Sequence, residues 1–329
     1  MATVKIIPSN LSFPTSNEET LLDSALQAGV TLNYSCKSGV CGVCKAKVIS
    51  GEVTSEGGNI SLSSDEKVQG IVLTCCSRAL TDCTLEADYL PELARLSRKI
   101  VPAKVSSVYY PKEDVAVIHF RLPPNITFEY LPGQYVDLNY GGVIRSYSIA
   151  NNNAQDGIEL HIRRVIGGEI SEKIFPSLSE NTLMRIDGPL GTFFVRKSDR
   201  PIIFLAGGTG FAPVKAMVEQ MLAEEDNRAA HIYWGGHTQQ SFYSQLPELW
   251  SKEHSHIHYI PVVSGDDSHW TGRTGLVHQA VMEDHADLSQ YDVYACGTPL
   301  MIEAAQQDFT ASGLPEDRFF ADAFVESAH

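Results

Sequence analysis

The stretch Ser35–Cys44 reads SCKSGVCGVC, and its cysteines decide the fold of the surrounding part of the chain. They follow the spacing C-x4-C-x2-C, and a fourth cysteine comes later, at Cys75 or Cys76. This spacing is the ligand pattern of a [2Fe–2S] cluster, which needs four thiolates that converge on a small volume. Gly39 and Gly42 help the loop to curl around such a cluster, because glycine tolerates positive φ angles.

Two other uses of these cysteines compete with a cluster. Zinc also binds four thiolates, but a structural zinc site usually pairs two C-x2–4-C knuckles, and this chain has only one. A disulfide framework is typical of secreted proteins, and nothing in the sequence indicates secretion. We therefore expect iron–sulfur ligands, and we expect Cys83 to pack in a following strand as a small apolar residue.

Length and composition limit the possible classes of protein. The chain has 329 residues, enough for two or three domains, and its net charge of −15 argues against binding to nucleic acid. No apolar run approaches the about twenty residues of a membrane span, and the first residues lack the apolar core of a signal peptide. Seven cysteines without a secretion signal indicate a reducing compartment, so we expect a cytoplasmic protein with no membrane partner.

Changes of pattern along the chain predict three domains. Residues 1–91 surround the cysteine loop with strand-like and helical stretches, and residues 92–100 read as a polar linker. Residues 101–197 predict an antiparallel barrel, and residues 198–329 alternate strands with helices, as in a doubly wound parallel sheet. The six predicted barrel strands are Val101–Tyr109, Val115–Phe120, Tyr135–Leu138, Ile144–Ile149, Ile158–Arg164 and Leu183–Asp187.

Two short motifs in the barrel segment have the chemistry to hold a flavin. The first, RSYS, ends a predicted strand: Tyr147 can stack on a ring, Ser148 can hydrogen-bond to it, and Arg145 can pair with a pyrophosphate. The second, GGEIS at residues 167–171, places glycines before a helix, where backbone N–H groups suit a phosphate. In isolation, each motif also fits an ordinary strand surface or turn.

Two further motifs suit a nucleotide. Residues 206–213 read AGGTGFAP between a buried strand and a helix, so small residues admit a pyrophosphate to the helix N-terminus. Pro213 suits the first turn of that helix. Residues 294–299 read YACGTP at the end of another predicted strand, where Cys296 fits either a contact with a nicotinamide or a buried thiol.

Taken in order, these four motifs resemble those of the ferredoxin–NADP reductase superfamily, and the cysteine loop before them resembles a plant-type [2Fe–2S] ferredoxin. The resemblance covers essentially all of the chain. It implies a β-grasp ferredoxin domain, an antiparallel six-stranded β-barrel that binds FAD, and an α/β doubly wound parallel-sheet domain that binds NAD. It also favours Cys75 as the fourth ligand, because plant-type ferredoxins place theirs after a short apolar stretch, whereas Cys76 would point to the other face of the strand.

The resemblance implies a role for individual residues. The iron ligands would be Cys36, Cys41, Cys44 and Cys75. FAD would be bound by Arg145, Tyr147, Ser148, Gly167, Gly168 and Ser171. The nicotinamide nucleotide would be bound by Gly207, Gly208, Thr209, Gly210, Pro213, Cys296 and Gly297. Thr209 and Cys296 would lie where hydride transfer takes place, and Phe324 would shield the flavin, although it also fits an ordinary core position.

The choice between NADH and NADPH depends on the surroundings of the adenosine ribose, because a 2′-phosphate needs arginine or lysine nearby. Residues 235–243, GGHTQQSFY, contain neither. We therefore expect NADH, while Arg273, further along the chain, leaves NADPH open.

The same resemblance indicates an electron path from NADH to FAD, then to the [2Fe–2S] cluster, then to an external acceptor. Whole-chain likeness is greatest with the CDP-6-deoxy-delta-3,4-glucoseen reductases. These imply as partner the pyridoxamine-phosphate-dependent CDP-4-keto-6-deoxyglucose 3-dehydrase, which acts on the way to 3,6-dideoxyhexoses of lipopolysaccharide O-antigen, such as ascarylose. The alternative is the reductase component of a ring-hydroxylating dioxygenase or a multicomponent monooxygenase. A non-catalytic electron carrier is the third interpretation, and the nucleotide motifs argue against it.

Overall fold

The computed structural model describes residues 1–55, 61–175 and 178–325. The chain divides into two compact units, Met1–Ser97 and Arg98–His329. Across these described residues, no helix has both the length and the apolar character needed to cross a bilayer.

The first unit is a small mixed sheet with one helix packed against it. Its sheet has the strand order β2-β1-β7-β3-β5, in which β1 and β7 run parallel and the other pairs are antiparallel. Helix α1 buries Leu21, Leu22 and Ala25, and Gly29 after it has a φ of +75°. The elements are β1 (Ala2–Ile7), β2 (Ser12–Thr15), α1 (Leu21–Gln27), β3 (Lys45–Ser50), β4 (Val53–Ser55), α2 (Ser64–Val68), β5 (Ile71–Leu73), β6 (Ser77–Ala79) and β7 (Cys83–Glu86).

The core of this unit forms between the sheet and α1, and it explains where the cysteines lie. Cys83 is buried in β7, as expected of a small apolar residue. The cysteine loop leads into β3, and Cys75 lies in the turn after the short strand β5, separated from that strand by Thr74. Two separate elements therefore bring the predicted ligands together.

The second unit begins with an antiparallel sheet that curls into a half-barrel. Its strand order is β11-β10-β13-β8-β9-β12, and a single bridge between Ile149 and Leu160 links its two edges. Lys99, which the sequence places in a linker, is the first residue of β8 because its backbone pairs with Gly188 of β13. The elements are β8 (Lys99–Lys112), β9 (Val115–Arg121), β10 (Tyr135–Tyr140), β11 (Val143–Ser148), β12 (Ile158–Arg163), α3 (Ser171–Ile174) and β13 (Leu183–Leu190).

The remainder of the second unit is a parallel sheet of six strands with helices between them. The order is β17-β16-β15-β14-β18-β19, so β14 and β18 are parallel neighbours and their carboxyl ends lie side by side. The predicted parallel sheet is confirmed. The elements are β14 (Ile202–Gly207), α4 (Phe211–Ala223), β15 (Ala230–Gly236), α5 (Leu246–Glu253), β16 (Ile257–Val263), β17 (Arg273–Thr274), α6 (Val277–Asp284), β18 (Asp292–Gly297), α7 (Pro299–Ala311) and β19 (Phe319–Ala323).

Candidate functional site

The four predicted ligand cysteines form two pairs of neighbouring sulfurs. The Sγ atoms of Cys44 and Cys75 lie 3.2 Å apart, and the thiols of Cys36 and Cys41 hydrogen-bond to each other. Within each pair the shared hydrogen bond lowers the pKa of one thiol, Cys36 or Cys44, and raises the pKa of its partner, Cys41 or Cys75. The close approach of the sulfurs in each pair, rather than these shifts, suits the four cysteines to hold a metal centre.

The paired geometry distinguishes between the metals that four cysteines can bind. A tetrahedral zinc site needs four donors around one point, whereas a [2Fe–2S] cluster has two irons that share four cysteines. The sulfur pairs therefore fit two irons better than one zinc ion.

The conformation of the cysteine loop explains how its sulfurs gather. Gly39 and Gly42 have φ angles of +76° and +74°, as the sequence predicts, and Lys37 shares this conformation with a φ of +56°. The loop turns two backbone N–H groups, of Ser38 and Cys41, toward Cys36 Sγ, each at 3.4 Å. N–H donors of this kind stabilise a thiolate.

The fourth cysteine and its neighbour differ in position. Cys75 is buried and contacts Cys44, whereas Cys76 is partly exposed and its Sγ lies 3.5 Å from Cys75 Sγ. Because only Cys75 pairs with a cysteine of the loop, it suits the role of fourth ligand better than Cys76.

In the second unit, the two predicted flavin motifs lie next to each other. Arg145 of β11 donates a hydrogen bond to Glu169 in the GGEIS loop, with 3.0 Å between Nη2 and Oε2. Tyr147, on the same strand, packs against the barrel core, and burial raises its pKa to about 12. The predicted contact of Arg145 with a pyrophosphate stays a prediction, since in this structure its partner is a carboxylate.

The GGEIS loop is shaped by its glycines and by Ser171. Gly167 has a φ of +77°, and a Cβ at Gly168 would lie 2.7 Å from Ser171 Oγ, so this loop needs both glycines. The Ser171 hydroxyl donates to Val165 O at 2.7 Å and accepts from Val165 N at 3.1 Å. The hydroxyl thus braces the loop, and its predicted contact with FAD stays a prediction.

The two predicted nucleotide motifs meet at the carboxyl ends of β14 and β18. A Cβ at Gly210 would lie 2.2 Å from the carbonyl oxygen of Cys296, so this approach requires glycine. A Cβ at Gly207 would lie 3.8 Å from Gly297 Cα, and Cβ atoms at either glycine would collide with Met301. Sequence reasoning missed Met301, whose flexible thioether lies between these two glycines.

Three more predicted residues lie around this loop. Thr209 is partly buried in a turn of 3₁₀ helix, Gly208–Gly210, that leads directly into α4. Pro213 lies in the first turn of α4, as predicted. Phe324 follows β19, packs against the core of the parallel sheet, and donates its backbone N–H to Gly297 O at 2.8 Å. Phe324 thus lies beside the YACGTP motif.

A buried carboxylate joins the flavin motif to the nucleotide motif. Ser148, the last residue of β11, donates a hydrogen bond to Asp322 Oδ2 at 3.3 Å, and Asp322 is paired in register with Cys296 across β18 and β19. Cys296 is fully buried, and burial raises the pKa of its thiol well above the usual value. We call these three residues the flavin–nucleotide junction. Sequence reasoning missed Asp322, although it lies two positions before Phe324.

The segment predicted to surround the adenosine ribose has an acidic neighbour. The backbone N–H of Gln239 donates to Asp267 Oδ2 at 2.9 Å. Arg273, the candidate partner of a 2′-phosphate, donates instead to Asp284 and to Glu283, each at 2.6 Å. These hydrogen bonds, the one to Asp284 first, raise the pKa of Arg273 further above its usual value.

Comparison with protein families identifies each part of the chain. Residues 4–80 match the 2Fe-2S iron-sulfur cluster binding domain, residues 102–195 the oxidoreductase FAD-binding domain, and residues 204–307 the oxidoreductase NAD-binding domain. These matches confirm the three predicted folds and their resemblance to the ferredoxin–NADP reductase superfamily. They also agree with the sulfur pairs of the first unit and the two sheets of the second.

Individual relatives extend over the whole length of the chain. Protein RfbI of Salmonella typhimurium is 51% identical over 98% of this chain and 97% of its own length. CDP-6-deoxy-L-threo-D-glycero-4-hexulose-3-dehydrase reductase of Yersinia pseudotuberculosis is 51% identical over 98% of each chain. The reductase component of the naphthalene 1,2-dioxygenase system of Pseudomonas putida is 32% identical over 97% of each.

A solved structure agrees with these relatives. The Amycolatopsis cytochrome P450 reductase GcoB superposes with a TM-score of 0.79 at 28% identity, covering 98% of this chain and 99% of its own. Sequence, site geometry and fold thus point to one group of electron-transfer proteins. The chain is an NAD(P)H-dependent oxidoreductase, and it belongs to the family of iron–sulfur flavoprotein reductases that includes the dehydrase reductase of Yersinia pseudotuberculosis.

Proposed function

We propose that this chain passes electrons from NADH, through FAD and a [2Fe–2S] cluster, to the pyridoxamine-phosphate-dependent CDP-4-keto-6-deoxyglucose 3-dehydrase. The observation that carries the internal part of this path is the flavin–nucleotide junction, in which Ser148, Asp322 and Cys296 bring the two motifs together. The acceptor is supported by the dehydrase reductase, which is 51% identical over the whole chain. The dioxygenase reductase, at 32% identity, supports the alternative acceptor less strongly.

The protein residues have positioning and electrostatic roles in this proposal. When bound, FAD would supply the conversion between the electron pair of a hydride and the single electrons that a [2Fe–2S] cluster can accept. In this proposal the Ser148 hydroxyl, which donates to Asp322, would orient the flavin ring, and Tyr147 would offer the ring an aromatic surface. Cys296 and Thr209 shape the space for the nicotinamide, and burial keeps the Cys296 thiol protonated.

The proposed acceptor is tested by coupling the holoprotein to a purified dehydrase. Under anaerobic conditions, NADH, the dehydrase and CDP-4-keto-6-deoxyglucose are combined, and the deoxygenated CDP-sugar is followed by chromatography. We expect product only when the reductase is present. Rapid reduction of a dioxygenase component, together with no sugar product, would replace the dehydrase by the alternative acceptor.

We propose NADH rather than NADPH because Arg273, the candidate partner of a 2′-phosphate, is already paired with carboxylates. Arg273 is held by Glu283 and Asp284, and the carboxylate of Asp267 lies at the Gln239 backbone, where it would repel a phosphate. Steady-state kcat/KM with both nucleotides tests this, and a preference for NADPH would contradict it. Gln239→Arg should improve NADPH use, whereas Gln290→Arg, at an exposed glutamine before β18, should not.

A cytoplasmic location stays a prediction. It is supported by the seven cysteines, four of which are the proposed iron ligands, since cysteines used in this way are typical of a reducing compartment.

A further inference from the structure

A buried lysine connects the nucleotide-binding helix α4 to the half-barrel. Lys215 is 6% exposed, and its Nζ lies 2.9 Å from Ala150 O, 3.2 Å from Glu159 Oε1 and 2.8 Å from Glu219 Oε1. These three acceptors use all three donors of the ammonium group. Ala150 and Glu159 belong to the barrel segment, so a buried charge, costly unless it is paired, joins the two parts of this unit.

The contacts continue from Glu159 to a second buried group. Glu159 Oε1 lies 2.6 Å from His161 Nε2, and His161 Nδ1 lies 2.8 Å from the hydroxyl of Tyr243. Burial lowers the pKa of His161 and so favours the neutral ring, against the opposing effect of Glu159. Burial opposes ionisation of Glu159, but His161 and Lys215 lower its pKa, so it accepts as a carboxylate. His161 therefore donates from Nε2 and accepts from Tyr243 at Nδ1.

From Tyr243 the contacts reach the nucleotide loop. The ring of Tyr243 packs edge-on against Trp234, with centroids 5.2 Å apart, and against Phe211, with centroids 6.1 Å apart. Trp234 stacks on Phe211 at 4.2 Å and donates its Nε1–H to Gly208 O at 2.9 Å. Phe211 is the first residue of α4, so the same contacts fix both the loop and the start of the helix.

We propose that Lys215, Glu159, His161 and Tyr243, here called the buried polar network, are positioning residues for hydride transfer. The network joins β12 of the flavin half-barrel to α4 and, through Trp234, to the loop at Gly208. Hydride transfer requires reacting atoms about 3–3.5 Å apart, and small misplacements cost large factors in rate. The network holds the nicotinamide side of the unit at the distance from the flavin side that this transfer requires.

This inference rests on the proposed transfer from NADH to FAD, and it goes beyond it by assigning residues outside the flavin–nucleotide junction. A network that served stability alone would leave the rate of hydride transfer unchanged when weakened. The kinetics of flavin reduction therefore distinguish a positioning role from a purely structural one.

The test uses two conservative variants of the full-length holoprotein. Tyr243→Phe removes one hydroxyl and keeps the packing on Trp234, and Glu159→Gln removes the carboxylate charge with little change in shape. Tyr291→Phe is the matched control, because its hydroxyl also hydrogen-bonds a histidine, His285 Nδ1 at 3.0 Å, near the amino end of the parallel sheet. Anaerobic stopped-flow measurements follow flavin bleaching by NADH and by NADH deuterated at C4.

We expect both network variants to lower the rate of flavin reduction at saturating NADH by about tenfold or more. Their flavin content and NADH dissociation constant should stay near the wild-type values, the deuterium isotope effect should rise, and Tyr291→Phe should stay within about twofold of wild type. Wild-type rates in Tyr243→Phe would overturn the inference, whether or not Glu159→Gln folds. If NADH failed to bleach the flavin of the wild-type protein, the proposed function itself would fail instead.

Discussion

The carboxylate of Asp322 interacts with both other residues of the flavin–nucleotide junction, Ser148 and Cys296. It is 5% exposed, accepts a hydrogen bond from Ser148, and raises the already high pKa of the Cys296 thiol. A carboxylate that is buried in this way has a fixed direction, so it also fixes the rotamer of the hydroxyl that donates to it. Its charge should therefore matter more for flavin reduction than its volume.

Asp322→Asn keeps the shape of the side chain and removes its charge. We expect flavin reduction by NADH to slow by about tenfold to a hundredfold, because a preorganised group at a reacting centre is lost. Asp292→Asn is the control, since Asp292 is also fully buried but begins β18, at the opposite end from Cys296. Stopped-flow bleaching measures both, and equal slowing in the two variants would contradict a local role for Asp322.

The neighbouring thiols Cys75 and Cys76 allow an equally sharp comparison. Cys75→Ser should lose most of the bound iron and labile sulfide, because only this sulfur pairs with Cys44. Cys76→Ser should keep both, together with the electron paramagnetic resonance signal of the reduced cluster. Metal analysis of the two purified variants decides the matter, and loss of iron from Cys76→Ser would assign the fourth ligand to the wrong cysteine.

The secondary structure could largely be predicted from the sequence, whereas the contacts between distant residues could not. Alternation and turn residues predicted the barrel strands and the parallel sheet, since these signals act between neighbours in the chain. The short edge strand β19 gave no such signal. Contacts between distant residues were also not predictable: Ser148 and Asp322 are 174 positions apart, and the buried polar network joins three separate segments. Such contacts depend on how the sheets pack, which no local pattern reports.

The turn between β14 and α4 gives a prediction about these elements. Gly210 has a φ of −58°, which any residue can adopt, so only crowding against Cys296 O prevents a side chain there. Gly210→Ala should push the start of α4 away from β18 and slow NADH-dependent flavin reduction by about tenfold or more, with normal FAD content.

A control for this substitution is Gly142→Ala, where φ is +82° and a Cβ meets open space. It adds backbone strain of roughly 1 kcal/mol without a clash, between two barrel strands. Its flavin reduction by NADH should match the wild type. Similar slowing in both variants would show that general destabilisation, rather than the approach of the two strand ends, explains the Gly210 result.

The stability of the protein as a whole should depend on a group of histidines in the parallel sheet. The ring of His231 lies 4.7 Å from that of His258 and 4.8 Å from that of His285. Burial, followed by the charges of His285 and His258, lowers the pKa of His231 from 6.5 to about 4, against a smaller opposing effect of Asp284. Between these pH values the unfolded chain binds a proton that the folded protein does not, so stability falls as pH falls from 6.5 to about 4.

Unfolding measured by circular dichroism across this pH range tests the effect. His231→Phe keeps an aromatic ring and cannot take up a proton, so its midpoint of thermal unfolding should fall less steeply with acid than that of the wild type. His269→Phe, at a side chain that is 90% exposed, should follow the wild-type curve. Parallel curves for the wild type and His231→Phe would remove the histidine group as a source of acid sensitivity.

The division of the chain after Ser97 has a consequence for engineering. The thiol pairs lie before this point, and the four predicted flavin and nucleotide motifs lie after it. The unit proposed to take electrons from NADH and the unit proposed to pass them on are therefore consecutive parts of the chain. A chimera that joins residues 98–329 to a different iron–sulfur domain should still oxidise NADH, but it should reduce the acceptor protein that the new domain recognises.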